Sequence, residues 1–175
     1  MVHEFGGRHN YELNSATVLR DAYRLIGLAL ADSCIARECQ NLDDPLFRLR
    51  EQFLEDELIH LLIGTAVANR LHDDHMWDLR NDPDELGFLP VVRDCGSLQP
   101  DILEEAVIPL GFREACNKVI HAIQITAEPQ QMDGAAFDHL PVVLVLRGTQ
   151  NGRGWQAHLN LLEFIRATSE NFDFR

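Results

Sequence analysis

The sequence predicts an α+β protein, a mainly helical up-and-down bundle followed late in the chain by a small antiparallel β-hairpin or sheet. Up to about residue 125, apolar residues recur every three or four positions, as in amphipathic helices. After residue 139 apolar and polar residues alternate, which is the period of a half-buried strand. A chain of 175 residues is of ordinary size for one domain, so we expect residues 1–175 to form a single domain.

The first half predicts two long helices. Residues 1–14 lack periodicity and are expected to form a loose N-terminal arm, which ends where Asn14 or Ser15 can cap a helix over 16–38. A turn then leads to Pro45, near the first position of a second helix over 46–78. Helices that are joined by short turns pack antiparallel, so the pattern predicts a helical bundle over 16–125.

The middle of the chain predicts shorter elements. Residues 81–99 contain acids, proline and glycine and are expected to be a loop, with a short extended piece at Phe88–Arg93. Pro100 is expected to open a short helix through Ile108, and a further helix is predicted over 112–123. An exposed connection over 126–139 follows.

The last part, 140–175, predicts a hairpin and a closing helix. The β-rich run 141–146 and the alternating run 154–161 flank an Asn-Gly pair, which is typical of a two-residue hairpin turn. Residues 162–172 have the pattern of a short helix.

The charge is concentrated in one stretch. The chain has a net charge of −13, and residues 51–110 alone hold three arginines against fourteen acids. Such acidity argues against non-specific binding to a polyanion. Two interpretations of 51–110 stay open: a solvated face that keeps the protein soluble, or a docking surface for a basic protein partner.

Several classes of protein are excluded by composition. No apolar run approaches the ~20 residues that span a bilayer, and the N-terminus has no apolar segment typical of a signal peptide. The four cysteines, at 34, 39, 95 and 116, form no CxxC pair and fit no zinc module. We therefore expect reduced thiols and a cytoplasmic protein without membrane contact.

Two pairs of residues have the spacing of metal ligands. Glu57 and His60 form an ExxH pair, but a di-iron bundle needs two such pairs and two further glutamates. His72 and His75 form a second pair, about 18 Å from His60 along a continuous helix, so the pairs cannot share an ion. The sequence therefore predicts no metal, and nothing in it indicates a cofactor.

A polar stripe marks the predicted helix 112–123. At 100° per residue Arg113, Asn117 and His121 fall on one ridge beside the apolar face. Arginine can stabilise a phosphate, and histidine transfers protons near neutral pH, so the ridge is a candidate catalytic site. The alternative is an ordinary solvated helix surface.

The run from Asn117 to Ala122 resembles the signature helix of the HEPN superfamily, in which Asn, three variable residues, His and a small residue follow an arginine. Many HEPN proteins are helical-bundle ribonucleases that work without metal in toxin–antitoxin and phage-defence systems. Cys116 stands where the family has arginine, and Arg113, one turn earlier, is the candidate to take that role.

The resemblance implies a metal-independent endoribonuclease that is active as a homodimer on RNA and has affinity for RNA or nucleotide. His121 would be the general base or acid, Arg113 the phosphate clamp and Asn117 a positioning group. The alternative is a HEPN-like binding or assembly module without catalytic activity, which dimerises and docks a protein partner on the acidic surface of 51–110. The substitution by Cys116 and the net charge favour this alternative, whereas the Asn117–His121 match favours the enzyme.

Overall fold

A computed structural model describes residues 14–79, 89–131 and 133–172, and these residues form an α+β structure as predicted. Most of the predicted N-terminal arm, residues 1–13, lies outside the described residues. Along the chain the elements are α1 (Ser15–Glu38), α2 (Pro45–Leu79), β1 (Asp94–Gln99), β2 (Ile108–Gly111), α3 (Phe112–Ile120), β3 (Gln124–Ala127), β4 (Val143–Gln150), β5 (Arg153–Asn160) and α4 (Leu161–Phe172).

The sheet is larger than the predicted hairpin. Its five strands lie in the order β2-β1-β5-β4-β3, and each neighbouring pair is antiparallel. Strands β1 and β2 and the start of β3 lie within the stretch 16–125, for which the sequence predicts a helical bundle with a loop over 81–99. The up-and-down bundle is therefore not confirmed, because this stretch forms two long helices followed by a mixed α and β unit.

The two long helices lie where the sequence predicts them. The side chain of Asn14 caps α1, because its Oδ1 accepts a hydrogen bond from the amide of Thr17 at 3.2 Å. The apolar period of α2 predicts a core-facing stripe, in which Leu58, Leu61 and Leu62 are buried and Phe47 and Leu54 are partly buried. The Asn14 cap and the apolar period are both local signals, and the helix positions that they predict are confirmed.

The predicted helix from Pro100 to Ile108 is wrong. Residues 101–107 are irregular, and Ile108 begins strand β2, where it pairs with Leu98 of β1. Pro109 lacks an amide hydrogen, and an edge strand such as β2 tolerates this because only one of its sides is paired.

The described part of the predicted extended piece, 89–93, is also irregular, and the strand β1 begins at Asp94. Residues 124–127 form β3, which takes the first two residues of the predicted connection 126–139.

The β4–β5 hairpin is confirmed. Asn151 and Gly152 both have positive φ, 52° and 78°, as a two-residue turn that follows the twist of the strands requires. The closing helix α4 is also confirmed and begins one residue before the predicted start.

One face of the sheet carries the core. The inward side chains of β4 and β5 are buried, and α3 and α4 pack on them, while the α1–α2 hairpin packs against those two helices. These inward residues are Leu144, Leu146, Trp155, Ala157 and Leu159. The opposite face is largely polar, as in many antiparallel sheets, although Val145 on this face is buried.

A buried ion pair joins the helical hairpin to the connection that leads into β4. Asp32 of α1 is 1% exposed and accepts two hydrogen bonds of 2.8 Å from Arg50 of α2. The same carboxylate accepts the amide of Leu140 at 2.7 Å, in the connection that leads to β4. These contacts satisfy the buried carboxylate and raise the pKa of Arg50, chiefly through its hydrogen bonds to Asp32.

Candidate functional site

Helix α3 carries the polar residues that the sequence singled out. It begins directly after β2, and its apolar side, which includes Phe112, Ala115 and Val119, is buried on the sheet. The amide of Phe112 donates to the carbonyl of Arg93 at 2.9 Å, which fixes the first turn. The helix ends at Ile120, three residues before the predicted end, and the amide of the following His121 donates to the carbonyl of Asn117 at 3.0 Å.

A cavity of about 500 Å³ lies between the second half of α3 and the tip of the β4–β5 hairpin. It is lined by Glu114, Asn117, Lys118, His121, Ile123, Thr149, Gln150 and Trp155. Two of the three predicted site residues, Asn117 and His121, are therefore brought together at one cavity, which we call the α3 cavity. Their predicted catalytic role stays a prediction.

Lys118 is the central cation of the α3 cavity and the only lysine of the chain. It is 5% exposed, and its Nζ donates to Oε1 of Gln150 at 2.8 Å. The Nζ also lies 3.1 Å from Oε1 of Glu114 and 4.5 Å from the centre of the Trp155 ring. A carboxylate, an amide oxygen and an aromatic face together stabilise the buried ammonium group.

Glu114 organises the polar wall of the α3 cavity. Its Oε2 accepts a hydrogen bond of 3.1 Å from Nδ2 of Asn117, while its Oε1 pairs with Lys118. Asn117 is half-buried, and His121 is exposed at the mouth of the cavity. An imidazole that is open to solvent beside an amide and a buried ammonium group could contact a small polar or anionic ligand.

The floor of the α3 cavity depends on a glycine. A Cβ atom at Gly148 would lie 2.3 Å from the Trp155 ring and 2.9 Å from the carbonyl oxygen of His121. Only glycine allows this approach, so Gly148 sets the position of the ring beneath Lys118.

Arg113 does not join Asn117 and His121, which corrects the expectation of a shared groove. Its guanidinium turns to α2, where it donates to Oδ2 of Asp73 at 3.3 Å and to Oδ1 of Asp74 at 2.6 Å. Asp73 is itself held by Nδ2 of Asn171 at 3.3 Å. Two carboxylates thus bind the guanidinium group that the sequence predicts as the phosphate clamp. On the side of α3 that faces the cavity, Glu114 and Lys118 take its place beside Asn117 and His121.

Cys116, at the position of the HEPN arginine, is a core residue. It is 1% exposed, and burial raises the pKa of its thiol. Neither its location nor its protonation suits contact with an anionic ligand.

The two candidate metal pairs are separate in the structure. Glu57 pairs with Arg24 of α1, and His60 is exposed. His72 is 7% exposed, and its ring lies 4.7 Å from that of Phe172. Among the described residues, no group of three or more His, Cys, Asp or Glu side chains could hold a metal ion. The predicted absence of a metal stays a prediction.

Several carboxylates in the described part of the acidic stretch 51–110 are paired with arginine, for example Asp73 and Asp74 with Arg113, and Asp101 with Arg153 at 3.6 Å. The docking role of this stretch stays a prediction. The exposed Glu104 lies in the irregular segment between β1 and β2, away from the acids of α2 along the chain.

A second feature, absent from the sequence interpretation, is the outer face of α2, on the side opposite the core. Six large apolar side chains stay exposed there, between 38% for Val67 and 57% for Leu49. They are Leu46, Leu49, Phe53, Ile63, Val67 and Leu71. At 3.6 residues per turn they fall within an arc of about 100°. The signal lies in the sequence, as a second apolar stripe on a helix whose first stripe already accounts for the core.

No family model, curated protein or solved structure matches this chain. None of the described helices is long and apolar enough to cross a bilayer. The function must therefore be inferred from the two features above, the α3 cavity and the outer face of α2.

Proposed function

We propose that this chain is a non-catalytic assembly module that associates with protein through the outer face of α2. The observation that carries this proposal is the row of six exposed apolar side chains between Leu46 and Leu71. Exposed apolar side chains grouped on one helix face are characteristic of interaction sites, because water is displaced from them on binding. Here they form two groups, Leu46 to Phe53 and Ile63 to Leu71, with the polar Asp56 and His60 between them. Most of the face lies within 51–110, where the sequence suggested docking, but its chemistry is apolar rather than acidic.

The geometry of α3 favours a module over an enzyme. Arg113 is bound by two carboxylates, and Cys116 is buried, so the phosphate-binding half of the HEPN motif has no counterpart at the α3 cavity. Lys118 remains there, but its ammonium group already contacts Glu114, Gln150 and Trp155. An incoming phosphate would have to displace those contacts.

The proposal is tested by comparing immobilised wild type with Phe53→Glu and with Leu103→Glu. Phe53 is 53% exposed in the proposed face, whereas the control, Leu103, is 91% exposed in the irregular segment 101–107. From an extract of the cells that make the protein, wild type and the control should capture the same protein, which Phe53→Glu should lose. Equal capture by all three would contradict the proposal.

A second candidate function is the metal-independent endoribonuclease of a defence or toxin–antitoxin system. It is favoured by one observation: the side chains of Asn117 and His121 line the same cavity. His121 would accept the proton of a 2′-hydroxyl that attacks the phosphorus, and the bond from phosphorus to the 5′-oxygen would break as that oxygen takes a proton from water. Asn117 would position the phosphate, and Lys118 would supply the cation instead of Arg113.

The ribonuclease candidate is tested by incubating mixed RNA with the protein in the presence of EDTA. Cleavage should be lost in His121→Ala and retained in His158→Ala, whose histidine is exposed on the open face of the sheet. Lys118→Met should reduce cleavage more than Arg113→Ala does. Absence of cleavage by wild type, or full cleavage by His121→Ala, would exclude this candidate.

A further inference from the structure

We propose that the outer face of α2 binds a second copy of this chain, so that two α2 helices pack antiparallel about a twofold axis at the level of Leu58. The inference rests on the proposed function, because it names the partner of the same face. Its basis is a symmetry in the order of the exposed residues, in their charge and in the shape of the face.

The spacing along the outer face is that of a helix seam. Positions 46, 49, 53, 56, 60, 63, 67 and 70 alternate in steps of three and four, the repeat that keeps one stripe facing a partner helix. Apolar residues occupy positions 46, 49 and 53 at one end of this seam and 63 and 67 near the other, where Arg70 is last. The polar Asp56 and His60 lie in its middle.

An antiparallel second copy matches each layer with a compatible residue. With the axis at residue 58, Leu49 faces Val67 of the second copy, and Phe53 faces Ile63 of the second copy. The same two layers recur on the other side of the axis, as an isologous interface requires. At the outer ends Leu46 faces the second copy's Arg70, whose aliphatic stem can cover it.

The charges select this orientation. Asp56 faces His60 of the second copy, and the same pair recurs across the axis, which gives two interactions between a carboxylate and an imidazole. Both side chains are exposed in the single chain, so each is available to the other. A parallel arrangement in register would instead place Asp56 against Asp56, where like charges repel.

The shape of the face is also self-complementary. Near the start of α2 an apolar groove of about 340 Å³ lies between Leu46, Leu49 and Phe53 on one side and Leu28, Ala31 and Ile35 of α1 on the other. Toward the end of α2 the apolar side chains of Ile63, Val67 and Leu71 are exposed one helical turn apart, which is the spacing of a ridge on a helix surface. Antiparallel pairing places the ridge of each copy in the groove of the other.

The first test measures mass by light scattering after gel filtration. At roughly 50 μM, wild type should have twice the 19.9 kDa mass of the chain, and Phe53→Glu should shift it to a monomer with unchanged helical circular dichroism. Leu103→Glu, the exposed control, should stay a dimer. A wild type that is monomeric, or a dimer that Phe53→Glu does not weaken, would overturn the proposal.

The second test exchanges the charges. His60→Asp places carboxylates opposite each other in both central layers, and Asp56→His does the same with imidazoles. Near pH 6, each variant alone should dimerise roughly tenfold or more weakly than wild type, while a one-to-one mixture should restore affinity because both layers then pair opposite charges. A mixture as weak as the separate variants would contradict the pairing.

The third test fixes the direction of the helices. In a Cys34→Ser background, which removes the exposed native thiol, Leu49→Cys and Val67→Cys are prepared as separate proteins. An oxidised disulfide dimer should form when the two are mixed and not with either alone, because position 49 meets position 67 across the axis. Efficient cross-linking of either variant with itself would overturn the antiparallel register.

The outcomes separate this inference from the proposed function. A monomeric wild type that still captures another protein through Phe53 overturns the dimer and leaves the assembly module intact. A monomeric wild type without Phe53-dependent capture overturns both.

Discussion

The two outer faces of the molecule differ sharply in chemistry. On the open face of the sheet a row of polar side chains crosses four neighbouring strands, formed by Gln99, Gln156, Arg147 and Gln124. Within the row Nε of Arg147 donates to Oε1 of Gln156 at 2.8 Å. On the other side of the molecule, the outer face of α2 presents leucine, phenylalanine, isoleucine and valine to solvent.

The difference shows which face needs a partner. Polar side chains on the sheet hydrogen-bond to one another and to water, so covering them would gain little free energy. The apolar side chains of α2 gain about 25 cal/mol for each Å² that is removed from water. We therefore expect substitutions on the outer face of α2 to change association and substitutions on the open sheet face to change nothing measurable. Contacts between the helical hairpin and the sheet should control stability.

The largest effect is expected at the ion pair that joins the helical hairpin to the connection before β4. Asp32→Ala leaves Arg50 without its buried carboxylate and the amide of Leu140 without its acceptor. Breaking a buried pair in this way costs about 3–5 kcal/mol, which urea denaturation would measure. Asp43→Ala is the control, since Asp43 is 91% exposed in its ion pair with Arg48, and should cost less than about 0.5 kcal/mol. Equal losses in both variants would mean that Asp32 does not join the layers.

The parts of the fold that the sequence predicts are those with local signals. The Asn14 cap, the long apolar stripes of α1 and α2 and the Asn151-Gly152 turn each specify their own structure within a few residues. Strands β2 and β3 have four residues each, too few to show a period, and they exist because distant strands pair with them. Their formation therefore depends on contacts that no local pattern records.

The next effect concerns the inner face of the sheet. Gly148→Ala would place a methyl group against the Trp155 ring, so it should destabilise the protein by about 1–3 kcal/mol and disturb the α3 cavity. The matched control is Gly64→Ala in α2, where a Cβ meets nothing within 4 Å, and which should stabilise the helix by about 0.5–1 kcal/mol. Thermal unfolding of both variants measures the difference. A Gly148→Ala variant as stable as wild type would show that the ring does not lie on the glycine.

A smaller effect is expected from pH at the inner side of α2. Burial is the main cause that lowers the pKa of His72, with a weaker contribution from His75. The unfolded chain therefore binds the proton more readily than the folded protein does. Stability should be fully present above the ordinary histidine value of about 6.5 and should be lost as the pH falls below it.

This dependence is checked by urea denaturation between about pH 7.5 and pH 5.5. His72→Leu should flatten the dependence, whereas His121→Gln, at an exposed histidine, should leave it as in wild type. An unchanged slope in His72→Leu would assign the pH dependence to other groups.

The candidate site was predictable only in part. The helical period places Asn117 and His121 on one side of α3, and the structure does bring both to the α3 cavity. The same period places Arg113 beside them, but the sequence does not show that Asp73 and Asp74 lie within reach of its guanidinium. Lys118 is a cavity residue that the helical period does not identify, because its contacts with Gln150 and Trp155 depend on the β4–β5 hairpin.

The smallest effect is expected on the open face of the sheet and tests the comparison most directly. Gln156→Ala removes hydrogen bonds to Arg147 and to the ring of His158, at 2.8 and 3.0 Å, but all three side chains are at least partly open to water, which replaces the lost partners. The unfolding free energy should change by less than about 0.5 kcal/mol, and the molecular mass should not change.

Ile63→Ala, the corresponding truncation on α2, should also leave monomer stability nearly unchanged, because Ile63 is 39% exposed, but it should weaken the dimer. Chemical denaturation of dilute protein and sedimentation across a range of concentrations would separate the two quantities. If Gln156→Ala weakened self-association as much as Ile63→Ala does, the polar face would be part of the interface, and the distinction between the two faces would fail.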